Sequence, residues 1–123
     1  MRCRASGHLR AFATEITRGL GFPRACATII EVLATHRRRL GFGELSRRVR
    51  ISERSLRSHL QTLVNRGILK RAVSVSPHRR LAYEYYLAPL GEIMAMFRAD
   101  VFRRIERLRR VATELQAARR AAV

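Results

Sequence analysis

Apolar residues return every third or fourth position along most of this chain and alternate along one short part of it. Leu9, Phe12, Ile16 and Leu20 predict an amphipathic helix over 8–20, ended by Gly21. Pro23 suits the first turn of a second helix reaching about His36, with Ala25, Ile29, Val32 and Leu33 inward. Arg37, Arg38 and Arg39 then read as a solvated, charged loop within reach of a phosphate. A short third helix is expected over 44–49, with Gly43 as N-cap, Leu45 and Val49 inward and Glu44 complementing the helix dipole. Arg50 and Ile51 turn the chain, and Ser52 caps a fourth helix over 53–66. Leu56, Leu60 and Leu63 line one face of that helix, and Gly67 ends it as a residue able to take φ > 0.

The period then changes. Residues 68–75 and 81–87 read as strands; in the second, Leu81, Tyr83, Tyr85 and Leu87 alternate with Ala82, Glu84 and Tyr86, as in a half-buried strand. Pro77 cannot donate to a ladder, so the intervening Ser76–Pro77–His78–Arg79–Arg80 is a hairpin tip. From Pro89 to about Arg119 a single long helix is expected, with Ile93, Met94, Phe97, Val101, Ile105, Leu108, Ala112 and Leu115 in one stripe. Such a stripe exceeds what the preceding residues can cover. Its simplest partner is the same helix of a second copy, through Ile93, Phe97, Val101, Ile105, Leu108 and Leu115.

Two short helices joined by a tight turn and followed by a basic hairpin are the sequence form of a helix-turn-helix with a wing. The expected fold is mainly α with a small β-hairpin: a winged helix-turn-helix domain over 1–88 and a long dimerisation helix over 89–123. Charge narrows the partner. Twenty-six Lys and Arg stand against nine Asp and Glu, a formal net charge of +17. Such an excess repels itself in the compact state and attracts polyanions, duplex DNA first. Lys70 is the only lysine, but a G+C-rich genome also favours arginine, so that bias decides nothing.

With Leu56 set inward and 100° per residue, Arg54, Ser58, Gln61 and Asn65 face away from the core, flanked by Ser55, Arg57 and Thr62. Base contacts are expected from the first half of the helix, from Arg54, Ser55, Arg57 and Ser58, with Gln61 and Thr62 behind them. A guanidinium such as that of Arg54 fits guanine O6 and N7 or a phosphate, and the sequence does not choose. Arg47 and Arg48, before the turn, are expected on phosphates. His78, Arg79 and Arg80, within the wing 74–81, are expected in the minor groove or on its phosphates. His59 borders the core face and reads as a packed histidine.

The block from Leu20 to Leu87 resembles the winged helix-turn-helix of small bacterial and archaeal transcription regulators. LGFPRACATIIEVL and FGELSRRVRISERSLRSHLQTLVNRGILKR resemble TrmB-type and MarR-type domains, and YEYYLAPLGEIM is similar to the end of the second wing strand in HxlR- and PadR-like proteins. Ala88 stands where those families often carry threonine, so the usual cap of the following helix is missing. The resemblance implies a homodimer on a pseudo-palindromic operator, joined by its terminal helix. TrmB-type regulators continue into a sugar-binding domain; this chain stops where that would begin, so no sugar effector is expected.

Other readings stay open: an architectural DNA-binding protein of low sequence preference, and a winged helix used on RNA or protein. RNA is less favoured because stacking aromatics are few, with no Trp. An enzyme is not expected. No carboxylate pair or nucleophile–base set appears, and GLGF at 19–22 lacks the strand a nucleotide loop requires. Neither metal nor cofactor is expected, because Cys3 and Cys26 are too few and too far apart for zinc. A Cys3–Cys26 redox switch is the remaining use for them. No apolar run reaches the roughly 18 residues of a membrane span, and MRCRASGHLR lacks the apolar core of a secretory signal, so the cytoplasm or nucleoid is expected.

Overall fold

Each apolar stripe becomes a helix or a strand, and all but the outer parts of the wing and of the last helix close on one core. The computed structural model describes residues 4–122, which leaves Cys3 and any pairing with it outside the described residues. The order is α1 (Arg4–Gly19), α2 (Arg24–His36), β1 (Leu40–Gly41), α3 (Phe42–Arg48), α4 (Glu53–Asn65), β2 (Leu69–Val75), β3 (Leu81–Leu87) and α5 (Leu90–Ala121). The mainly α architecture expected from the pattern holds, with one addition. β1 pairs antiparallel with β3 through Leu40↔Tyr85 and Gly41↔Glu84, so the sheet has three strands in the order β1-β3-β2. Two residues carry no period, which is why the pattern missed β1.

The core is made where the helical stripes meet that sheet. Ile29, Ile30 and Leu33 of α2, Leu45 of α3, and Leu56, Leu60 and Leu63 of α4 are enclosed with Leu40, Ile68 and Leu69. Each such side chain contributes roughly 1.5–3 kcal/mol by leaving water. On α2 the inward position is Cys26 rather than the expected Ala25, which is half-buried. Burial pushes the Cys26 thiol up to about 11, so it stays protonated and unreactive near neutral pH.

Helix ends follow local chemistry. The Ser52 side chain accepts from the Ser55 N–H at 3.1 Å, as a capping serine should. Gly67 takes φ +80 just beyond α4. α3 begins at Phe42 with Gly41 as N-cap, not at Glu44 behind Gly43, because the chain enters it straight from β1. α5 starts after Pro89 with no side-chain cap. Ala88, in the place of the absent threonine, is buried and donates its N–H to Ile68 O at 2.9 Å.

Arg37, Arg38 and Arg39 lie exposed in a loop, as expected, and each also has a structural task. Arg37 ends α2 in the left-handed region at φ 52. Arg38 grips the Glu44 carboxylate with both terminal nitrogens, at 3.2 and 2.7 Å, which holds that carboxyl below its ordinary range. Arg39 lies over the Tyr86 ring at 5.1 Å.

The long helix is only partly free. Ile93 is fully enclosed in the core, and Phe97 packs half-buried against it. Ile93, expected in a seam between copies, is therefore spent within the chain, whereas Phe97 also lines an open apolar groove with Val101, Phe102 and Ile105. A junction then fixes the helix direction. Asp100 accepts from Arg66, at the end of α4, at 2.9 Å and from Arg104 at 3.1 Å. Arg104 also donates to the Gly19 carbonyl at the end of α1, where a cation meets the negative end of the helix dipole. The Phe97 ring lies so close to Gly19 that a Cβ there would sit 2.5 Å from it.

Gly19→Ala is accordingly expected to lower stability by about 1–3 kcal/mol through overpacking. Adding Phe97→Leu should recover part of that loss. Urea unfolding of the two single variants and the double variant measures it, and purely additive losses would show that the ring and Gly19 do not meet.

Candidate nucleic-acid interface

The apolar side of α4 is consumed by the core, which leaves its polar side outward. Arg54, Arg57, Ser58, Gln61 and Asn65 are exposed, while Ser55 and Thr62 are half-buried on the flanks. His59 is half-buried at the border, as expected. The Thr62 hydroxyl donates to the Ser58 carbonyl one turn back at 3.1 Å, so its proton is already engaged. Arg47 and Arg48 are exposed in the last turn of α3.

The wing is β2 and β3, in a register running from Leu69↔Leu87 to Val75↔Leu81. Its tip is a three-residue loop. Arg79 N–H donates to Ser76 O at 2.9 Å, and Ser76 and Arg80 close the ladder through Ser76 N–H to Arg80 O at 3.0 Å. The Ser76 hydroxyl accepts from the Arg80 N–H at 3.1 Å. Pro77 sits in this turn, as its missing N–H requires. Such loops place one residue in the left-handed region, ordinarily glycine; here it is Arg79, at φ 58. His78, Arg79 and Arg80 all stand exposed at this tip.

Cross-strand partners share a face, so Leu40, Leu69, Leu87 and Tyr85 lie on the core side together with Val73, Val75, Leu81 and Tyr83. Cover is lost along that face: Leu40 and Leu69 are enclosed, whereas Val73 is 60%, Val75 64%, Leu81 77% and Tyr83 44% exposed. The strand expected to be half-buried throughout is so only in its inner half, because α-helical cover ends there. Arg71 lies over the Tyr83 ring at 4.3 Å.

Between wing and helix runs a cleft of about 510 Å³, bounded by Gly41, Phe42 and Gly43, by Arg57, and by Leu81 to Tyr85 of β3. Its aromatic wall has a function the sequence reading missed. The Phe42 ring supports the Arg57 guanidinium at 4.1 Å, which directs Arg57 toward the wing rather than straight out from α4. Glu84 is the one acidic side chain on the cleft. Only the three-dimensional contact reveals the Phe42–Arg57 pair, since the two lie on different helices. Of the residues expected to contact DNA, the structure places Arg57 of α4 on this cleft, facing Leu81 to Tyr85 of β3; Arg54, Ser58 and Gln61, and His78, Arg79 and Arg80 at the tip, are exposed but do not line it.

Among the described residues no group of three or more His, Cys, Asp or Glu side chains converges as a metal site. No helix of the described residues is long and apolar enough to cross a membrane.

Residues 26–72 match the family model of the IclR helix-turn-helix domain. No curated protein matches the chain in sequence. The fold is shared with a possible transcriptional regulator from Methanosarcina mazei Go1, at a TM-score of 0.72 and 16% identity over 84% of this chain and 87% of that one. It is shared also with a variant of S. aureus MepR bound to an oligodeoxyribonucleotide, at 0.54 and 15% over 85% and 75% of the two chains. A MarR-family transcriptional regulator from Silicibacter pomeroyi aligns at 0.50 and 23% over 87% and 77%. The chain thus has the winged helix-turn-helix fold of transcriptional regulators.

Arg79 makes the tip testable. Arg79→Gly should stabilise the protein by about 1 kcal/mol, because glycine takes positive φ without strain. A melting temperature that falls would show that the arginine is not strained in this turn.

Proposed function

We propose that the protein is a dimeric, DNA-binding transcriptional regulator. The observation that carries this reading is the capped, outward polar side of α4 standing beside a basic wing, with a cleft between them. α4 lies in the major groove, with Arg54, Ser55 and Ser58 on base edges and Gln61 and Thr62 behind them. The wing tip, through His78, Arg79 and Arg80, meets the adjacent minor groove. The sugar–phosphate strand that separates the two grooves runs through the cleft, where Arg57, held on Phe42, takes a phosphate. Arg47 and Arg48 hold the backbone on the other side of the helix-turn-helix. The DNA-bound MepR variant, with the same fold, supports the assignment of partner.

The second copy joins along the outer part of α5. Phe102, Ile105, Leu108, Val111 and Leu115 are about half exposed or more, and Val101 is half-buried. At about 1.5 Å per residue the 32-residue helix is about 48 Å long, well beyond the junction at Asp100. An apolar stripe of that length on a charged helix is unstable in water without a partner. Two copies so joined would present their α4 helices to half-sites about one turn, or 34 Å, apart.

An architectural role with little sequence preference is supported by a different observation. Arg107, Arg110, Arg119 and Arg120 lie exposed along outer α5, away from α4 and the wing. Footprinting separates the readings: a discrete protected site belongs to a regulator, uniform protection to an architectural protein.

Arg54→Ala is expected to relax site preference by about 5- to 150-fold, the equivalent of about 1–3 kcal/mol for a bidentate base contact. Arg57→Ala should instead weaken all duplexes alike, as a phosphate contact does. Gel shifts against matched and scrambled duplexes measure both, and unchanged binding by both variants would remove α4 from the mechanism. Ile105→Asp with Leu108→Asp should give monomers by light scattering and lower DNA affinity; a variant that remains dimeric would move the interface elsewhere.

A further inference from the structure

The seam between α1 and α2 opens into a groove of about 590 Å³, lined by neither the polar side of α4 nor the wing. Its chemistry differs from that of an ordinary helix-packing seam. Three guanidinium groups, from Arg10, Arg18 and Arg24, stand around it. Glu31 offsets one of them by meeting Arg10 at 3.4 Å, and Arg18 and Arg24 have no ion-pair partner among the described residues.

Thr17, on the same groove, is the anomaly. It is 5% exposed, and its Oγ1 is enclosed without a hydrogen-bond partner among the described residues. Thr35, Thr62 and Thr113, which are exposed or half-buried, donate to the carbonyl four residues back, at Glu31, Ser58 and Arg109. Thr17 does not, so its hydroxyl is desolvated with nothing in return. Evolution toward stability alone would put valine there.

We infer that this groove binds a small amphipathic anion, a carboxylate or a phosphate monoester on a compact apolar body. Arg18 and Arg24 take the anionic group through charge-assisted hydrogen bonds. Phe22 and Ala27 supply the apolar wall, and the volume lies within the range of small-molecule sites. A turn about the Thr17 side-chain bond brings its hydroxyl onto a polar atom of the occupant.

The groove also adjoins the junction that directs α5. The Arg66 guanidinium lies over Phe22 at 5.5 Å and pairs with Asp100, which Arg104 links to the Gly19 carbonyl. An occupant that shifts Phe22 therefore shifts how α4 and α5 are held relative to each other. This coupling to DNA affinity rests on the function proposed above; the binding site does not.

The test titrates the full chain, without DNA, with phenyl phosphate, benzoate and inorganic phosphate while backbone amide signals are followed. Saturable shifts centred on α1, Phe22 and α2 are expected, with smaller ones at Arg66 and Asp100, and a ring-bearing anion should bind about tenfold more tightly than inorganic phosphate. The stronger of the two ring-bearing anions identifies the head group. Arg18→Ala should weaken binding about tenfold and Thr17→Val about threefold, while Arg119→Ala with Arg120→Ala leaves it unchanged. Thr17→Val keeps the shape and removes the unmet hydroxyl, so it should melt no lower than the parent, which separates lost binding from lost folding. Shifts that never saturate and spread over all arginines, or equal affinity in Arg18→Ala, overturn the site. Duplex affinity measured at saturating anion should change about threefold or more. No change would overturn the coupling and leave the site, whereas failure to bind any duplex would overturn the function proposed above and leave the site intact.

Discussion

The direction of α5 depends on one crowded junction, and in the proposed dimer the arrangement of the two copies follows from that direction. Glycine at position 19 lets the Phe97 ring lie against the end of α1. Asp100 then holds Arg66 from α4 and Arg104 from its own helix, and Arg104 reaches the Gly19 carbonyl. Three helices are thus tied within one turn of each other by packing and by a half-buried carboxylate. Because Asp100 is largely shielded, its pairs are less screened than those on the open surface. Among the described residues the outer part of α5 makes no such contacts, so its course is set where it leaves the body.

A chain of charge +17 must place its arginines so that they do not drive it apart. Some are absorbed by carboxylates, as Arg38 is by Glu44 and Arg66 by Asp100. Others lie on aromatic faces, as Arg39 does on Tyr86, Arg57 on Phe42 and Arg71 on Tyr83. Those on the outer side of α4 and at the wing tip are left facing solvent. The division has a simple basis: the nine acidic residues cannot match the basic ones, so aromatic rings serve as the second class of partner. A guanidinium held over a ring keeps its full charge and its donors for an external phosphate. This is why Arg57, although engaged, belongs to the proposed interface.

The wing shows the same economy in its apolar residues. Its inner half is covered by the helices and contributes to the core, and its outer half carries valine, leucine and tyrosine into solvent beside arginine and histidine. In the proposed complex such a ribbon would meet a surface where charge and apolar strips alternate, as phosphates and sugars do along a nucleic-acid groove. The groove between α1 and α2 is separate from all of this in position, yet its wall at Phe22 is in contact with Arg66 of the junction.

Periodicity alone determined most of the local structure: the helices, the strand limits at Val75 and Leu81, the Ser52 cap and the outward face of α4. These rest on repeats of 3.6 and 2 and on capping chemistry, which act between residues close in sequence. What the tertiary structure decided lies at contacts between distant segments. β1 is two residues long and exists only because β3 is beside it. Ile93 looked identical in pattern to Leu108 and Leu115, since all belong to one stripe; the fold of the chain after Ala88 sends Ile93 inward, leaves Phe97 half-covered and leaves Leu108 and Leu115 bare. Arg57 on Phe42, Gly19 under Phe97 and the unmet hydroxyl of Thr17 likewise have no signature along the chain, because each depends on which element a residue meets rather than on which residues precede it.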